Sequence, residues 1–204
     1  MGAPATNVAR GASATDRPLS LGERRYADRV SLPSRHRRHD LTNLGFLIGF
    51  GAAFGYVEAA VVYYLRALMN FHRGYAIAHY KVLLNLGFIT FITTRHSLLL
   101  NHRVSDAEVA REVATIVILC CVAYVAGRDT RQRLAAFLIT FACWDIMYYV
   151  FLKVLDNWPS SLLTKDVFFL IPVTWIGPVL TPLVIATVML AVGIRLYLRP
   201  SSGF

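Results

Sequence analysis

The sequence predicts an all-α, polytopic membrane protein with four full transmembrane helices and one re-entrant or interfacial helix. Three observations predict it. Of the 204 residues, 56% are hydrophobic, against about 45–50% in a soluble domain even when glycine is counted. These residues gather in runs close to the ~20 residues that cross a hydrocarbon core, giving a mean hydropathy of +0.50. The alternating pattern of a membrane barrel is absent.

Residues 1–41 read as a disordered, basic, cytoplasmic arm. It carries Arg10, Arg17, Arg24, Arg25, Arg29, Arg35, Arg37 and Arg38 with no aromatic interleaving, so the formal charge of +9 points to anionic lipid rather than nucleic acid. The pairs Arg24-Arg25 and Arg37-Arg38 superficially match a twin-arginine signal. The run that follows them carries Glu58 and has the length of a span, which argues against that reading.

The bundle is expected over 42–199. A first span covers about 43–66, a second 107–127, a third 132–154 and a last 173–197. The segment 82–100 is long enough to cross but contains Asn85, Thr90, Thr93, Thr94, Arg95 and His96. If it does not cross, the arm, the basic turn with Arg128, Arg131 and Arg133, and the tail with Arg195 and Arg199 all face the cytoplasm, as the positive-inside rule favours. If it crosses, that turn is sent outside. Four spans plus a re-entrant or interfacial helix is the expected arrangement, with both termini cytoplasmic in a bacterial-type inner membrane; five spans is the alternative.

Ionisable groups inside spans are costly, by about 2.5–3.5 kcal/mol each on insertion scales. Here they are Glu58, Glu112 and Asp145, the candidate catalytic groups, with Arg66, Arg111 and Lys153 toward the same ends of their helices. Counting helical rise places all three acids in the outer half of the bilayer, where one shared pocket would join them. Gly51, Gly55, Glu58 and Val62 share a helix face, and the Gly51-xxx-Gly55 pattern points that face at protein. Ala142, Asp145, Tyr149 and Lys153 share another. Trp144, Tyr148 and Trp158 read as an interfacial aromatic edge. Pro172, Pro178 and Pro182 would break the last span beside Thr174, Trp175 and Thr181, and broken helices often border binding sites. Arg66, Arg111, Tyr149, Lys153 and Trp175 are therefore the expected binding residues. The competing reading is that Glu58–Arg111 and Asp145–Lys153 are neutralising pairs that only fix helix order.

No metal site is expected. Carboxylate-plus-histidine sites in bundles use ExxH spacing, which His72, His79, His96 and His102 do not supply, and His79 and His96 do not make a bis-histidine haem site. Cys120, Cys121 and Cys143 have no CxxC spacing and read as packing residues. No cofactor is identified.

No catalytic motif stands out, so whether the chain is an enzyme is left open. The leading expectation is an accessory or assembly subunit of a larger membrane complex, with membrane lipids and other membrane chains or further copies of itself as partners. The alternatives are a membrane-embedded enzyme using carboxylate acid–base groups on a lipid or small amphiphile, with Arg66 and Arg111 on an anionic head group, and a small oligomeric proton-coupled transporter.

Overall fold

The computed structural model describes residues 20–68, 80–94 and 102–199; for 21, 23–39, 68, 80, 94 and 102–105 it describes the backbone alone. The chain divides into two units, 1–39 and 40–204. Everything below concerns the second unit, except that the first helix, α1 (Leu21–Leu68), begins well before it. Residues 21–41, expected as part of a disordered arm, are thus helical in backbone; residues 1–19 lie outside the described residues.

Three further helices follow: α2 (His102–Ala126), α3 (Thr130–Asp156) and α4 (Leu180–Leu198). Four segments are long and apolar enough to cross a membrane: Asp40–Ala67, Asp106–Ala126, Thr130–Asp156 and Leu180–Leu198. Their outward surfaces suit lipid. Phe46, Val125 and Val154 are 75%, 85% and 74% exposed, an arrangement that water would penalise. These features are compatible with an integral membrane protein.

The four segments run alternately up and down. At one end Arg128 pairs with Asp40 at 2.9 Å and Arg131 donates to the carbonyl of Arg199 at 2.7 Å. At the other, Arg66 pairs with Asp156 at 3.0 Å. The most enclosed is α3, with 44% of its apolar window buried against 17–28% for the other three. Its sequence starts it cleanly: Asp129 is the N-cap and accepts from the Gln132 N–H at 2.7 Å, satisfying one orphan amide. Asn157, left-handed at φ 50°, ends it. Against α3, Gly51 and Gly55 let α1 approach so closely that an added Cβ would lie 2.6 Å from the Cys143 Cβ and 2.7 Å from the Trp144 carbonyl oxygen, respectively. The small-residue stripe read from the sequence is this contact.

Two expectations are corrected. The segment 82–94 is not a helix. It lies within an antiparallel hairpin of β1 (Tyr80–Asn85) and β2 (Thr90–Thr94); residues 95–100 lie outside the described residues. Valine, isoleucine and threonine density favours extended backbone here, and the Asn85 side chain accepts from the Gly87 N–H at 2.8 Å, with Gly87 at φ +84°, a conformation glycine adopts freely. The last helix does not begin near 173 either. Residues Thr174–Pro178 form β4, paired antiparallel with β2 and with β3 (Lys165–Phe169). Pro178 closes that strand, and Pro182 falls in the first turn of α4, where a missing N–H removes no helical hydrogen bond. The prolines mark a strand-to-helix junction, not a break within a span. The resulting sheet, ordered β1-β2-β4-β3, joins the α1–α2 connection to the α3–α4 connection.

Candidate functional site

All four helices and the sheet line a cavity of about 350 Å³, within the usual range for small-molecule sites. Of the residues singled out in the sequence, Glu58, Arg66, Arg111, Glu112, Asp145 and Tyr149 line it, and Trp175 lines it from β4. Lys153 is not among them. Its ammonium donates to the carbonyls of Asn157 and Pro159 at 3.2 and 3.1 Å, closing the C-terminal end of α3 rather than pairing with Asp145. The physical reason is competition: unsatisfied carbonyls at a helix end attract a nearby cation.

The helical spacing of α2 puts Glu108, Arg111, Glu112 and Thr115 on the cavity. Arg111 is held by two carboxylates, Glu58 from α1 and Glu108 one turn earlier, with Arg111 Nε also donating to Glu108 at 3.0 Å. The Glu58–Arg111 pair considered from sequence is therefore present, as part of a three-membered network. The Glu112 carboxylate accepts the Leu170 backbone N–H at 2.9 and 3.2 Å, so it ties α2 to the segment after β3. Arg66 pairs with Asp156 and lies over the Trp158 ring, 4.0 Å from its centroid. Asp145 has no hydrogen-bond or ion-pair partner among the described residues.

The remaining wall is aromatic and apolar. Trp144, expected at the interface, is buried and lines the cavity instead. It meets Phe141 edge-on at 5.2 Å, and Phe169 meets Trp175 edge-on at 6.0 Å. The indole N–H groups of Trp144 and Trp175 are buried without an acceptor among the described residues. Ring packing against Phe54, Phe141 and Phe169 holds Trp144 inward.

Two acidic residues were not flagged as site groups by sequence reasoning. Glu108 shares the α2 face and was legible from its i+4 spacing to Glu112. Asp166 was not. It sits in β3, 4% exposed, and accepts the Tyr149 hydroxyl at 3.0 Å. Burial pushes its carboxyl up to about 6, against the opposing pull of that hydrogen bond and of Arg66. Only a strand correctly placed under α3 could have shown it. Cys143 packs against Gly51 and is not on the cavity. Among the described residues no cluster of three or more His, Cys, Asp or Glu has metal-binding geometry. The candidate histidines His72, His79 and His96 lie outside the described residues, and only the backbone of His102 is described.

The site can therefore do two things. It can enclose an apolar or amphiphilic molecule, and it offers carboxylates for proton transfer. The fold and site together are compatible with a multi-pass membrane protein carrying an internal cavity. The chain matches no protein-family profile, no curated protein and no solved structure.

Proposed function

We propose that this chain is an integral membrane protein that receives a lipid or small amphiphile in its cavity, with Asp145 and Glu112 as its proton-handling groups. One observation carries the reading: charged side chains from α1, α2 and α3 line an otherwise largely aromatic and aliphatic cavity of about 350 Å³, and one of them, Asp145, has no hydrogen-bond or ion-pair partner among the described residues. A purely structural set of ion pairs does not need a cavity, and its acids are consumed by its bases.

The orientation that accompanies this reading puts both termini in the cytoplasm and the sheet outside. Arg128, Arg131 and Arg199 support it by clustering at one end of the bundle. Single cysteines in place of exposed Thr130 and Ser161, in a background without the native cysteines, test it: a membrane-impermeant thiol reagent added to intact cells should label position 161 only. Labelling of position 130 alone reverses the orientation.

Native mass spectrometry of the full chain, extracted mildly from its membrane, tests the function. A lipid-like mass retained by the wild type and lost in Asp145→Asn supports the amphiphile site. Stoichiometric copies of other chains, with no retained small molecule, return the accessory-subunit reading drawn from the absence of catalytic motifs.

A further inference from the structure

We infer that the amphiphile bound here carries a cationic head, an amine or a quaternary ammonium, and that Asp145 is its counter-ion. The inference rests on the amphiphile-binding reading and specifies its ligand class. It reverses the sequence expectation that Arg66 and Arg111 hold an anionic head group.

The charges on the cavity wall decide it. Among the lining residues, Glu58, Glu108, Glu112 and Asp145 are acids, whereas Arg66 and Arg111 are the basic ones. Both guanidiniums are already engaged. Arg111 is committed to Glu58 and Glu108, and Arg66 to Asp156 and the Trp158 ring. An anionic head would have to displace a carboxylate from one of them and enter beside the remaining acids. The acids are in the opposite condition. Among the described residues Asp145 has no hydrogen-bond or ion-pair partner, and Glu112 is hydrogen-bonded by a backbone N–H alone. An isolated carboxylate in an apolar enclosure is costly unless a cation or a proton accompanies it.

The walls suit the same occupant. Trp144, next to Asp145, and Tyr148 and Tyr149, one helical turn on, line the cavity with it. Aromatic faces attract ammonium groups, and quaternary ammonium recognition by aromatic enclosures uses this attraction. Val62, Leu65, Ile185 and Met189 line other parts of the wall and would receive an alkyl tail.

The test uses three probes with the same tail: decylamine, decanol and decanoate. Each is titrated calorimetrically into the full chain in nanodiscs, with empty nanodiscs as the reference. Decylamine should bind about tenfold or more tighter than decanol. Asp145→Asn, nearly isosteric, should remove that preference, and a cooperative thermal unfolding transition in the same nanodiscs shows the variant to be folded. Equal binding of all three, a preference for decanoate, or an amine preference that survives in Asp145→Asn overturns the cationic assignment and leaves the amphiphile site standing. If no probe binds above the empty-disc reference, the amphiphile reading falls, and this inference with it.

Discussion

The two ends of the helical bundle are built on opposite principles. Around the α2–α3 turn, helices meet through small and aliphatic side chains. Ala135, Ala136 and Ile139 are fully buried there beside Leu47, Ala123 and Tyr197. An added Cβ on Gly193 would lie 2.9 Å from the Ile139 side chain. Toward the sheet, aromatic and charged side chains of the same helices line a cavity. Helix association in lipid draws on close packing and polar contacts rather than on expulsion of water. The packed end can therefore supply cohesion while the sheet end keeps polar groups that are costly to bury.

The largest expected effect tests whether the ion network at the sheet end is integral to the fold. Arg111→Met strands Glu58 and Glu108 and should cost about 3–5 kcal/mol, read by equilibrium unfolding in mixed micelles. Replacing Glu58 and Glu108 by Gln in the same background should recover most of the loss. No loss in the single variant would mean that the network is effectively solvated, and the contrast between the ends would weaken. Next, Ile139→Ala at the packed end should cost about 2–5 kcal/mol, whereas Ile185→Ala on the cavity wall should cost less than about 1 kcal/mol. Equal losses at the two sites would break the comparison. Between the ends, Gly51→Val forces a side chain into α3 and should cost about 1–3 kcal/mol, with little recovery from shrinking Cys143 to Ala because the Thr140 carbonyl is 2.8 Å from the new Cβ.

A pH effect between about 4 and 6 is expected from the sheet end. The folded protein holds the Asp166 proton more tightly than the unfolded chain does, because burial raises its carboxyl to about 6. Its contribution to stability is full below the unfolded value of about 3.9 and disappears as pH rises through the folded one. Asp166→Asn keeps an acceptor for the Tyr149 hydroxyl and should flatten the stability profile across that window. An unchanged slope would exclude Asp166 as its source. The smallest effect is expected for Lys153→Ala, which removes only contacts to helix-end carbonyls. It should cost about 0.3–1 kcal/mol and leave decylamine binding unaltered.

Particular residues show how far the sequence could be read. The runs around 43–66, 107–127 and 132–154 declared their helices because length and hydropathy are local properties. Glu58, Arg111, Glu112 and Asp145 stood out because charge in an apolar run is conspicuous at any depth, and helical periodicity gave them a common side. The hairpin was missed because 82–94 is as apolar as a span; its Asn85–Gly87 turn and β-branched density were outweighed by length. Pro178 and Pro182 were read as damage to one helix when they mark the change from strand to helix.

The amino-acid sequence alone determined a mostly helical chain with runs long and apolar enough to cross a membrane, and which charged side chains lie within those runs, since hydropathy acts on composition and on spacing along one helix. Only the tertiary structure decided their partners. Arg111 took Glu58 and Glu108, Arg66 took Asp156, Lys153 turned to the end of its own helix, and Asp145 was left facing a cavity. Those outcomes depend on distances between segments remote in sequence and on a sheet whose strands pair across two separate connections, and no local pattern encodes either.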